Sequence, residues 1–181
     1  MDTKIITKEG VIYVWFDDLY FTKKNEGLSK KTIERNEIQT KIDGIFPHAF
    51  IEHESNGAPI IKGTKFSYIS VSHYGGWFAL YFSEKSCGVD IQTFKTSLSQ
   101  GKDYFINNQE IDLNLSSVNL HLIWSAKEAF YKKHKGLIKD LKNAVTIKEI
   151  KRESELITLE YKGLREGLTF RMFEDFVIVW T

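Results

Sequence analysis

The apolar positions divide the chain into short strand-like runs and two helix-like stretches. Val11 to Phe16 is an unbroken apolar run, as a buried strand presents. Phe66 to Ser72 is rich in β-formers, Tyr74-Gly75-Gly76 reads as a hairpin turn, and Trp77 to Phe82 returns from it. Ser83 to Ser86 makes the next turn before Cys87 to Ile91, so the pattern predicts a three-stranded antiparallel meander. Four more strands are expected at Val145 to Ile150, Leu156 to Tyr161, Leu168 to Phe173 and Phe176 to Trp180, with Glu174-Asp175 between the last two. Helical spacing covers Lys30 to Ile45 and Ser117 to Lys135, the second with Ser116 or Ser117 as N-cap, and a shorter helix is expected near Asn108 to Leu115. The polar stretch Glu52 to Lys65, punctuated by Asn56-Gly57 and Gly63, predicts a loop, as does Lys95 to Gln109. Both halves therefore read as a helix followed by antiparallel strands. The expected class is α+β with a duplicated style, its halves at 1–95 and 96–181 within one compact unit.

Composition narrows the class. Hydrophobic residues make up 42% and charged residues 27%, enough for a packed interior and a solvated surface. The net charge of +1 gives no argument for nucleic acid as a partner. The one cysteine, Cys87, excludes an internal disulfide, fits a reducing compartment, and sits among apolar neighbours that favour a buried structural thiol over a nucleophile. No stretch reaches the roughly 18 apolar residues of a membrane span. Met1-Asp2-Thr3-Lys4 does not open a signal peptide. The expectation is a cytoplasmic enzyme without a membrane partner.

The chemistry concentrates between residues 72 and 132. Gly88-Val89-Asp90-Ile91-Gln92 reads as a short apolar strand presenting one carboxylate. Trp124-Ser125-Ala126-Lys127-Glu128-Ala129-Phe130-Tyr131-Lys132 reads as a helix that puts Trp124, Glu128 and Lys132 along one face. Two acids from a strand and a helix, with a lysine one turn beyond, suit a divalent cation holding a phosphate. Taken singly these residues are ambiguous. Asp90 fits a solvated strand face as well as a buried pair, Glu128 fits a helix-surface pair with Lys132, and Trp124 fits the core. His73, before a Gly-Gly turn, suits a phosphate contact or a plain turn histidine. No P-loop, dinucleotide fingerprint or Cys/His zinc cluster is present.

In combination, Ser72-His73, Gly88 to Gln92, and Trp124 to Ala129 with Lys132 resemble the ordered motifs of the Sfp-type 4′-phosphopantetheinyl transferases, in the subgroup carrying Trp-x-x-Lys-Glu-Ala. Lys135-Gly136-Leu137 resembles the family's continuation after that helix. The resemblance implies a pseudo-two-fold α+β fold of two similar helix-plus-antiparallel-sheet halves in a monomer. It also implies transfer of 4′-phosphopantetheine from coenzyme A to a serine of an apo acyl or peptidyl carrier protein, releasing 3′,5′-ADP. Under it Asp90, Glu128 and Gln92 hold Mg²⁺, or Mn²⁺ in its place. Glu128 helps deprotonate the serine, and Lys132 stabilises or protonates the departing phosphate. Ser72, His73, Lys127, Gly57 and Pro59 serve coenzyme A.

The chain departs from the family pattern in three places. Gln92 stands where a second acid is usual, predicting weaker Mg²⁺ binding. Gly57-Ala58-Pro59 lacks the usual lysine, although Lys62 and Lys65 follow. The basic residues for the 3′-phosphate are not matched, with Lys30, Lys31 and Arg35 as candidates. Two rival readings remain at the level of sequence: a degenerate relative that binds coenzyme A or a carrier without catalysis, and another metal-dependent phosphodiesterase. Mg²⁺-dependent turnover separates the first, and dependence on a carrier protein the second.

Overall fold

The computed structural model describes residues 2–181, in which the chain forms two units, the first ending at Cys87 and the second running Gly88–Thr181. In the first unit, β1 (Asp2–Ile6) and β2 (Gly10–Phe16) form a hairpin, followed by α1 (Tyr20–Asn25) and α2 (Lys30–Ile45). The chain continues through β3 (Phe50–His53), β4 (Pro59–Lys62), β5 (Tyr68–Tyr74) and β6 (Trp77–Ser83). The main sheet is antiparallel with order β1-β2-β6-β5. β6, buried along its whole length, is flanked on both sides, which explains its continuous apolar sequence. Ser29 caps α2 by accepting a hydrogen bond from Thr32 N at 3.1 Å, and α2 sends Ile33 and Ile42 into a core with Trp15, Phe78 and Phe82.

In the second unit, β7 (Val89–Thr93) is followed by α3 (Ser97–Gln100), α4 (Ser117–Lys133) and α5 (Leu141–Ala144). Then come β8 (Val145–Lys151), β9 (Leu156–Tyr161), β10 (Leu164–Met172) and β11 (Phe176–Trp180). The antiparallel sheet order is β7-β11-β10-β9-β8. Ser116 caps α4, whose Leu122, Ile123, Ala126 and Phe130 pack on Val177 and Val179.

The α+β class stands, but several expectations are corrected. Cys87 to Ile91 does not complete a meander with β6: both edges of β6 are already occupied by β2 and β5, and β7 pairs with β11 instead. The boundary between the units accordingly falls after Cys87, not after residue 95. Glu52 to Lys65 is not a plain loop but contains the end of β3, the turn and all of β4, and the turn places Gly57 at φ +85°. Lys95 to Gln109 includes α3 and a turn of 3₁₀-helix at Lys102–Tyr104. Only Asn108–Glu110 is helical in the segment from Asn108 to Leu115. α4 stops at Lys133 because Lys135 and Gly136 enter the left-handed region at φ 53° and 75°, and Gly136 N donates back to Tyr131 O at 3.0 Å.

Candidate active site

β7 is an edge strand whose alternation decides where its polar residues point. Asp90 pairs with Val179 and Gln92 with Val177, and these two valines lie in the core against α4. Paired residues of an antiparallel ladder share a face, so Asp90 and Gln92 turn toward α4, while Val89 and Ile91 are buried on the other face. The approach is close at the strand's entry: a Cβ on Gly88 would fall 1.8 Å from Ala129 O, a backbone atom that cannot yield cheaply.

Asp90 is only 3% exposed, which excludes the solvated-face reading. Its carboxylate is matched by Lys132, whose Nζ lies 2.8 Å from Oδ1 and also donates to Val89 O at 3.1 Å. An ammonium has three donors, so one N–H of the partly exposed Lys132 remains for a ligand. Gln92, itself buried, donates from Nε2 to Asp90 Oδ2 at 3.2 Å, and its Oε1 is buried with no hydrogen-bond partner.

Glu128 joins this group from α4. Burial raises its pKa above the ordinary carboxylate value, the negative charge of Asp90 raises it further, and Lys132 opposes both. Two carboxylates thus repel across the β7–α4 contact with one lysine between their demands. Trp124, a turn earlier, packs on Phe105 at 5.2 Å between ring centroids and belongs to the core rather than to the charged group.

Lys127, expected to serve the cofactor, does something else. Its side chain is fully buried, and its three donors are taken by Glu110 Oε2 at 2.8 Å, Phe105 O at 2.7 Å and Lys142 O at 3.2 Å. Glu110 also accepts from Asn107 N at 2.9 Å and Ile147 N at 2.7 Å. Desolvation pulls the Lys127 ammonium below its ordinary pKa, and Glu110 works against that. The pair ties α4 to the segment before it and to β8. With no donor left, Lys127 cannot bind a ligand.

The remaining expected residues lie in the first unit. Ser72 and His73 are neighbours on β5 whose side chains leave opposite faces of the sheet. Ser72 pairs with Ala79 and is buried, whereas His73 pairs with Phe78 on the face covered by α2. His73 Nδ1 lies 2.9 Å from Oε1 of Glu34 on α2. Gly57 and Pro59 form the β3–β4 turn and the start of β4, and Lys62 and Lys65 are exposed. Lys30 lies 3.6 Å from Glu34 along α2, and Lys31 and Arg35 are exposed there.

Glu34 escaped notice because helix glutamates usually face water. Its one signal was its place in the α2 stripe with Ile38, Ile42 and Ile45. His121, also unforeseen, is fully buried: its Nε2 accepts from Lys95 N at 3.0 Å, so Nδ1 carries the proton toward Ser117 O at 2.7 Å. Cys87 is buried as expected, its thiol pushed up to about 12 by desolvation.

Among the described residues no three His, Cys, Asp or Glu side chains form a metal-binding group, and no helix is long and apolar enough to cross a membrane. No protein-family model matches the chain, and no curated protein matches it.

Proposed function

We propose that the protein is a 4′-phosphopantetheinyl transferase that modifies a serine of an apo acyl or peptidyl carrier protein with the phosphopantetheine of coenzyme A. The observation that carries this reading is the convergence of Asp90, Glu128 and Lys132 at the β7–α4 contact. It is supported by the order of the sequence motifs, and by each unit laying a long helix on an antiparallel sheet, as a pseudo-two-fold fold requires.

Fit to a divalent cation is supported by two features of this chain. Glu128 is destabilised as a carboxylate by burial and then by Asp90, a penalty that a cation would relieve, and Gln92 Oε1 is a buried neutral oxygen in want of a partner. Asp90, Glu128 and Gln92 would hold Mg²⁺, or Mn²⁺, with phosphate oxygens and waters completing the shell. Bound there, the ion would supply charge neutralisation for the pyrophosphate of coenzyme A.

The residues divide the remaining work. The carrier serine hydroxyl attacks the phosphorus bearing the pantetheine arm, and the bond to the 3′,5′-ADP phosphate breaks. Glu128, made more basic by burial and by Asp90, accepts the serine proton directly or through one water. Lys132 directs its remaining N–H to the departing phosphate, stabilising or protonating it. Asp90 fixes Lys132, and Gln92 fixes Asp90. In the first unit, His73 is the phosphate-contacting residue that the resemblance implies.

The test is intact-mass spectrometry of apo carrier proteins incubated with this protein, coenzyme A and Mg²⁺. A gain of one phosphopantetheine, abolished by a chelator, is expected. No gain across several carrier types, with coenzyme A still bound, would establish the second reading, a non-catalytic binder. That reading is favoured by the neutral Gln92.

A further inference from the structure

The division of work above leaves the buried carboxylate of Glu34 unused. Glu34, on α2, is 8% exposed, and three groups converge on its Oε1. Tyr20 of α1 donates its hydroxyl at 3.2 Å, Lys30 lies at 3.6 Å, and His73 Nδ1 of β5 lies at 2.9 Å. A carboxylate withdrawn from water needs compensation. Burial and the charge of Glu34 raise the Tyr20 phenol, so Tyr20 stays protonated and acts only as a donor. Lys30, with 60% of its side chain exposed, contributes little. His73 is the nearest partner, and its ring, one third exposed, is backed by Phe78 at 6.0 Å.

We propose that Glu34 is the positioning residue for His73, holding its ring against α2 so that it meets a phosphate or pyrophosphate group of the ligand. The inference rests on the transferase reading in taking His73 as a phosphate contact, and adds the residue that orients it. The Nδ1–Glu34 approach is an ion-pair distance without hydrogen-bond alignment, and attraction to Glu34 together with donation from Nε2 to a phosphate oxygen requires a ring carrying both protons. The buried carboxylate is the counter-charge for that form. Lys30 and Lys31, one turn before Glu34 on α2, add positive charge for an anion. Glu34 itself touches no ligand in this scheme.

Inorganic pyrophosphate is the probe, followed by calorimetry and by ¹⁵N NMR of the His73 ring. Pyrophosphate shifts the His73 ring signals in the unaltered protein. His73→Ala and Glu34→Gln each weaken binding about tenfold, and the double variant is no weaker than either single one, because the two residues act as a unit. Tyr20→Phe removes a donor to Glu34 but keeps the Glu34–His73 contact, so it leaves binding unchanged. The proposal is overturned if Glu34→Gln binds like the unaltered protein, if the two losses add, or if Tyr20→Phe weakens binding as much as Glu34→Gln. Loss of carrier modification with these binding results intact would sink the transferase reading alone. Normal modification with binding indifferent to Glu34→Gln would sink this inference alone.

Discussion

Lys132 Nζ lies 2.8 Å from Asp90 Oδ1 and 3.1 Å from Val89 O, so one side chain both links α4 to β7 and neutralises the strand carboxylate. Replacing it removes a phosphate donor and strips a buried acid of its counter-charge. Lys132→Met is expected to lower single-turnover carrier modification by about 100-fold or more. The accompanying stability loss, about 1–3 kcal/mol in urea denaturation, follows from leaving the buried Asp90 without its counter-charge. A rate near that of the unaltered protein would remove Lys132 from the chemistry.

Glu128 should show the opposite balance. Its folded-state pKa is raised, so between the ordinary carboxylate value and the raised one the folded protein binds more protons than the unfolded chain. Stability therefore falls as pH rises through that window, and the ionised Glu128 is a burden at neutral pH. Glu128→Gln is expected to abolish turnover yet raise the melting temperature at neutral pH, with the gain shrinking as pH falls to about 4. Melting curves across pH check this, and a gain independent of pH would contradict the assigned cause.

Gln92→Glu tests the fit to a cation. The substitution deletes the amide donor to Asp90 and adds a third carboxylate. Without divalent cation, the variant should melt below the unaltered protein. Adding Mg²⁺ should raise its melting temperature more than that of the unaltered protein, and lower the Mg²⁺ concentration needed for half-maximal rate. Equal responses of the two proteins to Mg²⁺ would show that residue 92 does not meet the ion.

Lys127→Met probes the buried pair. Glu110 would keep its two backbone donors but lose its counter-charge, at a cost of about 3–5 kcal/mol. Activity should fall only in proportion to the unfolded fraction. A well-folded but inactive Lys127→Met would restore Lys127 to the chemistry.

The parts of this fold legible in the sequence were those set by local rules. The spans of α2, β9 and β11 follow from periodicity, capping and turn residues, and agree with the structure at both ends. The short α1 and α3, without a long amphipathic stripe, gave no such signal. Nor did β1, whose largest apolar side chains alternate between buried Ile5 and exposed Ile6 at the sheet edge. The sheet partner of β7 was misread because adjacency in sequence suggested β6, whereas strand pairing depends on which edge is open.

Sequence alone determined that Glu128 and Lys132 share a helix face, because 3.6-residue periodicity is local. It also placed Asp90 and Gln92 on one face of a strand, because the period of two is local as well. Only the tertiary structure decided what those faces meet. Lys127 and Lys132 lie on the same helix, yet one is sealed against Glu110 and the other reaches Asp90 across 42 residues of chain. Likewise, His73 meets Glu34 only because β5 packs against α2. The physical reason is that a carboxylate's partner is chosen by burial, which withdraws water and leaves each charge to the nearest group that packing brings to it.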